Sequence, residues 1–136
     1  MERDVDLLIL GAGACGLAAA IAGADAGLSV AVVEKTDRPG GNSALSTGSV
    51  PGSGTRFQRA AGIDDSPAQH FTDLMGVAGD SDDQALMRRM AEVSAQTEEW
   101  LIDDAGAKMQ LITAYKHIGH SVPRLHAPAS RRGADL

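Results

Sequence analysis

"VDLLILGAGACGLAAAIAGADAGLSVAVVE", residues 5–34, decides the fold. The apolar run Val5–Leu10 ends at Gly11, and periodicity alone does not separate such a run from buried helix. The glycines that follow settle it as a strand. From Ala12 to Ala26 the chain is rich in alanine, with Leu17 and Ile21 four apart, and Gly27 stands where a helix is closed by glycine. Leu28–Glu34 returns to a β-branched run. The order is strand, glycine turn, helix, strand.

Each glycine of the turn has a separate task. Gly11 permits the tight bend, Gly13 admits a diphosphate to the backbone, and Gly16 lets the helix lie close to the strands. The unpaired N–H groups of the first helical turn, at Ala14 and Cys15, then face anionic oxygens. Glu34, 18 residues beyond Gly16, sits where a carboxylate accepts ribose hydroxyls. These features together form a dinucleotide-binding fingerprint. The plain alternative is a tightly packed α/β turn without ligand.

The chain has 136 residues, the size of one ordinary domain, and 43% are apolar. With two Phe, one Tyr and one Trp, the core is expected to rest on Ala, Val, Leu, Ile and Met. The net charge of -6 and the lack of a basic run argue against nucleic acid. The long uncharged stretch from Leu7 is interrupted by glycines, so no membrane span is expected. Nor does the N-terminus resemble a signal peptide, which points to the cytoplasm. Cys15 is the only cysteine, so neither an internal disulfide nor a CxxC pair is possible. Its place in the first turn of the helix reads as a small packing residue.

The next segment, "KTDRPGGNSALSTGSVPGSG" (35–54), is rich in Gly and Ser and poor in apolar residues. A nicotinamide-binding fold would place a second crossover helix here, and Pro39, Gly40 and Gly41 oppose one. At these residues the chain resembles the flavoproteins of the fumarate reductase and succinate dehydrogenase type. That family also includes L-aspartate oxidase and 3-ketosteroid dehydrogenases. The matching positions are Gly11, Gly13, Gly16, Glu34 and "GGNSALSTG", Gly40–Gly48.

The resemblance implies FAD, with NAD(P) as the runner-up. It implies that Gly40 and Gly41 wrap the diphosphate, and that Asn42 and Ser43 bond the diphosphate or ribityl region. It also places the backbone of Ser46, Thr47 and Gly48 beside the flavin ring. Glycine-rich bends can hold anionic oxygen on backbone N–H groups alone. Lys35 and Arg38 are candidates to neutralise phosphate, or simply solvated loop charges. Ser49 departs from the family, many of whose members carry a second glycine there.

Further along, Ser66 and Pro67 open a helix, with Gln69 three residues after the cap. Ser81–Gln84 is expected to start another. Its packing face would carry Leu86, Met90, Val93, Thr97, Trp100 and Leu101. Met75, Met87, Met90 and Met109 read as core filler. Ala107–Thr113 suits a short strand. His117 and His120 are spaced like metal ligands, yet lack a nearby Cys or acidic partner and read as solvated loop histidines. No metal site is expected.

The fold expected is therefore α/β, a Rossmann-like FAD-binding βαβ unit followed by a mainly helical start of a capping domain. Residues 1–113 would belong to the FAD-binding domain and 114–136 to the beginning of the cap. The resemblance brings Arg124 or His126 near the site of an intact enzyme. Family members run to several hundred residues and draw their catalytic groups from later segments, so this chain reads as a truncated portion without a catalytic residue. An intact enzyme would move hydride between a small-molecule substrate and the flavin. A non-catalytic nucleotide-binding fragment, or a chain completed by another polypeptide, is the alternative.

Overall fold

The computed structural model describes residues 4–81 and 83–136. It divides into two compact units, one of residues 1–48 and 132–136 and the other of residues 49–131.

In the first unit, β1 (Leu7–Leu10), α1 (Ala14–Asp25) and β2 (Val30–Val33) form the expected βαβ unit. The strands are parallel, with Leu7 opposite Val30 and Leu10 opposite Val33. At their start, the Asp6 carboxylate accepts the N–H and hydroxyl of Ser29 at 2.9 and 2.6 Å. The Ser29 hydroxyl bond, followed by its N–H bond, holds the Asp6 carboxyl below its usual range.

Small residues let α1 lie against this sheet. A Cβ at Gly23 would come 2.8 Å from Leu7 Cδ2 and 3.2 Å from Val30 Cγ2. The opposite sheet face carries Leu8, Leu10 and Val33, which are 57%, 80% and 53% exposed, so α1 covers one face only. The segment with Pro39, Gly40 and Gly41, expected to oppose a helix, makes one short turn, α2 (Gly41–Leu45). A 3-10 turn follows at Gly133–Asp135. It packs against α2, where the Gly133 N–H donates to the Ser46 carbonyl at 2.8 Å.

The second unit contains β3 (Val50–Pro51), α3 (Arg56–Ala60), α4 (Pro67–Ala78), a 3-10 turn (Gly79–Ser81), α5 (Gln84–Asp103), β4 (Met109–Leu111) and β5 (Leu125–Pro128). β5 lies between β3 and β4, antiparallel to both. α4 starts as its sequence predicts, with Ser66 Oγ accepting the Gln69 N–H at 3.2 Å. α5 does not start at Ser81. Asp83 is its cap and accepts the Leu86 N–H at 3.1 Å. Asp82, within the expected start, lies outside the described residues.

The packing face of α5 also differs from its apolar stripe. Ala91, Ser94 and Glu98 are buried, while Leu86 and Met90 are 66% and 44% exposed. The glycine turn after β3 passes so close that a Cβ at Gly52 would meet Glu98 Cβ at 3.2 Å. Ser53 in the same turn holds this edge by hydrogen bonds, its N–H donating to Ser94 Oγ at 3.0 Å and its hydroxyl lying 3.3 Å from the Ala91 carbonyl oxygen.

Polar groups fill much of this interior, contrary to the expected aliphatic core. Arg124, His70, His126, Gln58 and Glu98 are fully buried. Arg124 donates to both oxygens of Asp65, at 3.0 and 2.8 Å, and to Asp73 at 2.6 Å. Gln58 reaches Asp65 and the Pro123 carbonyl. Burial opposes ionisation of Asp73, but the bonds from Ser121 and Arg124 outweigh it and hold its carboxyl well below the ordinary range.

Candidate functional site

The site begins where β1 turns into α1. Gly11 has φ +100°, a conformation that residues with a side chain rarely adopt, and its N–H donates to the Val33 carbonyl at 2.7 Å. Gly13 occupies the N-cap of α1 and, lacking a side chain, gives the first helical turn no cap of its own. No acidic residue stands in that turn. The start of α1 thus presents backbone donors and the positive end of a helix with no acidic residue in its own first turn.

The second glycine-rich segment closes on this turn. Gly40 bridges to Gly13 in parallel, and its N–H donates to the Ala12 carbonyl at 2.7 Å. The Ala14 N–H points to Ser43 Oγ at 3.3 Å. A Cβ at Gly13 would meet the Gly40 carbonyl oxygen at 3.9 Å and Ser43 Oγ at 4.0 Å, ordinary contacts without a clash. Two stretches 27 residues apart, Gly13 and Gly40, therefore meet at one glycine-rich junction.

Glu34 follows β2 and faces the same turn. Its Oε2 accepts the Ala12 N–H at 2.8 Å, and its Oε1 accepts the Thr36 N–H at 3.0 Å. These bonds, that from Ala12 first, keep its carboxyl ionised to lower pH than usual. Ala14, Cys15 and Asn42 are exposed at the start of α1 and on α2, while Gly16 is half-buried under the turn. Lys35 and Arg38 are also exposed, and Arg38 lies 3.7 Å from the Asp37 carboxylate. Ser46 caps the end of α2, its hydroxyl donating to the Ser43 carbonyl at 2.7 Å and accepting the Gly48 N–H at 3.0 Å. Thr47 is exposed and Gly48 buried beside it.

Other candidates have different surroundings. Arg124 is spent on Asp65 and Asp73, and His126 Nε2 lies 3.2 Å from Thr55 Oγ1 in the interior of the second unit. His117 is exposed, as a loop histidine would be, whereas His120 is half-buried with its ring 6.0 Å from that of His70. The sequence reading passed over Thr36, whose only signal was its place two residues after Glu34. It also passed over Thr55 and Gln58, although Thr-x-x-Gln is a helix-capping pattern and both bonds of the box form.

The arrangement fits a dinucleotide cofactor. Backbone N–H groups and the helix start suit a diphosphate, and Glu34 offers acceptors for a ribose. Comparison with known proteins gives the same direction. The model of the FAD binding domain family matches residues 6–134. An NADH:fumarate oxidoreductase of Klebsiella pneumoniae is 36% identical over 93% of this chain and 13% of its own length. A urocanate reductase of Eggerthella lenta is 35% identical over 100% of the chain and 22% of its own length. Among solved structures, the open conformation of a flavocytochrome c3 fumarate reductase superposes with a TM-score of 0.83 at 32% identity, over 96% of this chain and 23% of that one. The chain spans 13% and 22% of the two relatives, and it belongs to the FAD-binding domain family of flavin-dependent oxidoreductases.

Proposed function

We propose that residues 11–16, 34 and 40–48 hold FAD for a flavin-dependent oxidoreductase. The observation that carries this reading is the meeting of Gly13 with Gly40 beside the start of α1. Backbone donors at Ala14 and Cys15 and in the Gly40–Gly41 bend would take the diphosphate, and Glu34 the adenosine ribose. Asn42, Ser43 and the backbone of Ser46–Gly48 would line the path toward the flavin ring. Lys35 and Arg38 add positive charge at the rim. When bound, FAD supplies a hydride acceptor or donor at N5.

The residues of this chain bind and orient, and none is assigned to proton transfer. Catalytic groups and contacts to a small-molecule substrate would come from outside these 136 residues, on the same polypeptide or a completing one. The match to only 13% and 22% of the relatives supports that reading. Residues 1–113 would serve the cofactor and 114–136 would begin the cap. With Cys15 as its single cysteine, the chain suits a reducing compartment, the cytoplasm.

The test is a visible spectrum of the purified chain after FAD is added and the excess removed. Retained flavin absorbance is expected. Folded protein that retains no flavin, or that binds NAD(P) in its place, would overturn the assignment.

A further inference from the structure

The carboxylate assigned to the ribose is held by a residue outside the glycine motifs. Thr36 donates its N–H to Glu34 Oε1 at 3.0 Å. Its hydroxyl lies 3.1 Å from the same oxygen and 2.8 Å from the Arg38 carbonyl oxygen. A hydroxyl has one proton to donate, so these two acceptors compete for it. On the other side, Glu34 Oε2 accepts the Ala12 N–H.

The acceptor count of the carboxylate then depends on Thr36. Each carboxylate oxygen takes two hydrogen bonds. With the Thr36 hydroxyl turned to it, Oε1 is filled by the two donors of Thr36. With the hydroxyl turned to Arg38, a position on Oε1 opens, an acceptor for a hydroxyl such as a ribose presents. Thr36 is exposed, so core packing does not explain its place.

We infer that Thr36 is a positioning residue for Glu34, fixing the carboxylate through its N–H and, with its hydroxyl donated to the nearer Arg38 carbonyl, bracing the 34–38 bend so that Oε1 stays open to a ribose hydroxyl. This rests on the reading of the glycine turn as a nucleotide site. The same hydroxyl ties Glu34 to the bend that leads into Gly40, so the ribose and diphosphate ends of the site share one support.

Calorimetric titration of the chain with ADP and with 2′,3′-dideoxy-ADP tests it, using the unsubstituted protein, Thr36→Val and Thr36→Ser. Thr36→Val is expected to weaken ADP about three- to tenfold, the effect of one hydrogen bond, and to leave the dideoxy analogue unchanged. Thr36→Ser is expected to restore ADP affinity. A merely structural role would lower both ligands together, and that result, undiminished ADP binding by Thr36→Val, or no rescue by Thr36→Ser would overturn the inference alone. Failure of the unsubstituted protein to bind ADP would overturn the site reading and the inference with it. Thr36→Ala provides a second variant without the branched side chain, with the same expected pattern.

Discussion

A Cβ at Gly16 would lie 2.0 Å from the carbonyl oxygen of Gly11, a backbone atom that cannot swing aside. Gly16 therefore sets the distance between α1 and the turn before it. Gly16→Ala is expected to destabilise the chain by roughly 1–3 kcal/mol, the usual range for overpacking a close contact. Thermal unfolding followed by circular dichroism checks this. A melting temperature equal to that of the unsubstituted chain would show that the helix does not sit as described.

The buried Arg124 network should tolerate little change. Arg124→Met leaves Asp65 and Asp73 without their cation and is expected to cost about 3–5 kcal/mol. Arg124→Lys should recover only part of this, because an ammonium cannot bond both oxygens of Asp65 in the forked geometry. Urea denaturation of the three proteins measures the order.

Two buried groups give stability opposite dependences on pH. Burial, aided by Arg124 and His120, lowers His70 to about 4 from 6.5. The unfolded chain thus binds its proton first, and this contribution is present above pH 6.5 and lost as pH falls toward 4. Burial raises Glu98 to about 8 from 4.5. Its contribution is full below pH 4.5 and lost as pH rises through 8. Neither Glu98 oxygen has a hydrogen-bond partner among the described residues. Glu98→Gln should therefore flatten the loss between pH 4.5 and 8 in a melting series, and an unchanged slope would contradict its burial as a neutral acid.

The sheet face of Leu8, Leu10 and Val33 is open in the first unit. Exposed apolar strands promote association between chains. Leu10→Lys, at the most exposed of the three, is expected to reduce concentration-dependent association in sedimentation velocity with little change in melting temperature. Association that persists unaltered would move the sticky surface elsewhere.

The first unit was legible because its signals are local. An apolar run, three glycines, an alanine-rich helix and an acid after the second strand fix β1, α1 and β2 through neighbouring residues. The approach of Gly40 to Gly13 is not local, and the family resemblance pointed to it where spacing could not. In the second unit the packing depends on contacts at long range. Arg124 pairs with residues 59 and 51 positions away, which no periodicity reveals. The buried edge of α5 was misread because the turn after β3, 38 and 41 residues away, bonds Ala91 and Ser94 through Ser53 and packs on Glu98 in place of the apolar stripe. Thr55 was a different case, since its capping box was present in the sequence and passed over.

The most direct measurement is the FAD affinity of Gly13→Ala, taken beside its melting temperature. Gly13 has φ −75° and ψ 178°, and a Cβ there meets no protein atom within 3.8 Å, so the substitution leaves the folded chain unstrained. The account predicts an unchanged melting temperature and FAD binding weakened roughly tenfold or more, because the methyl occupies the space of the diphosphate. FAD held as tightly by Gly13→Ala as by the unsubstituted chain would contradict it.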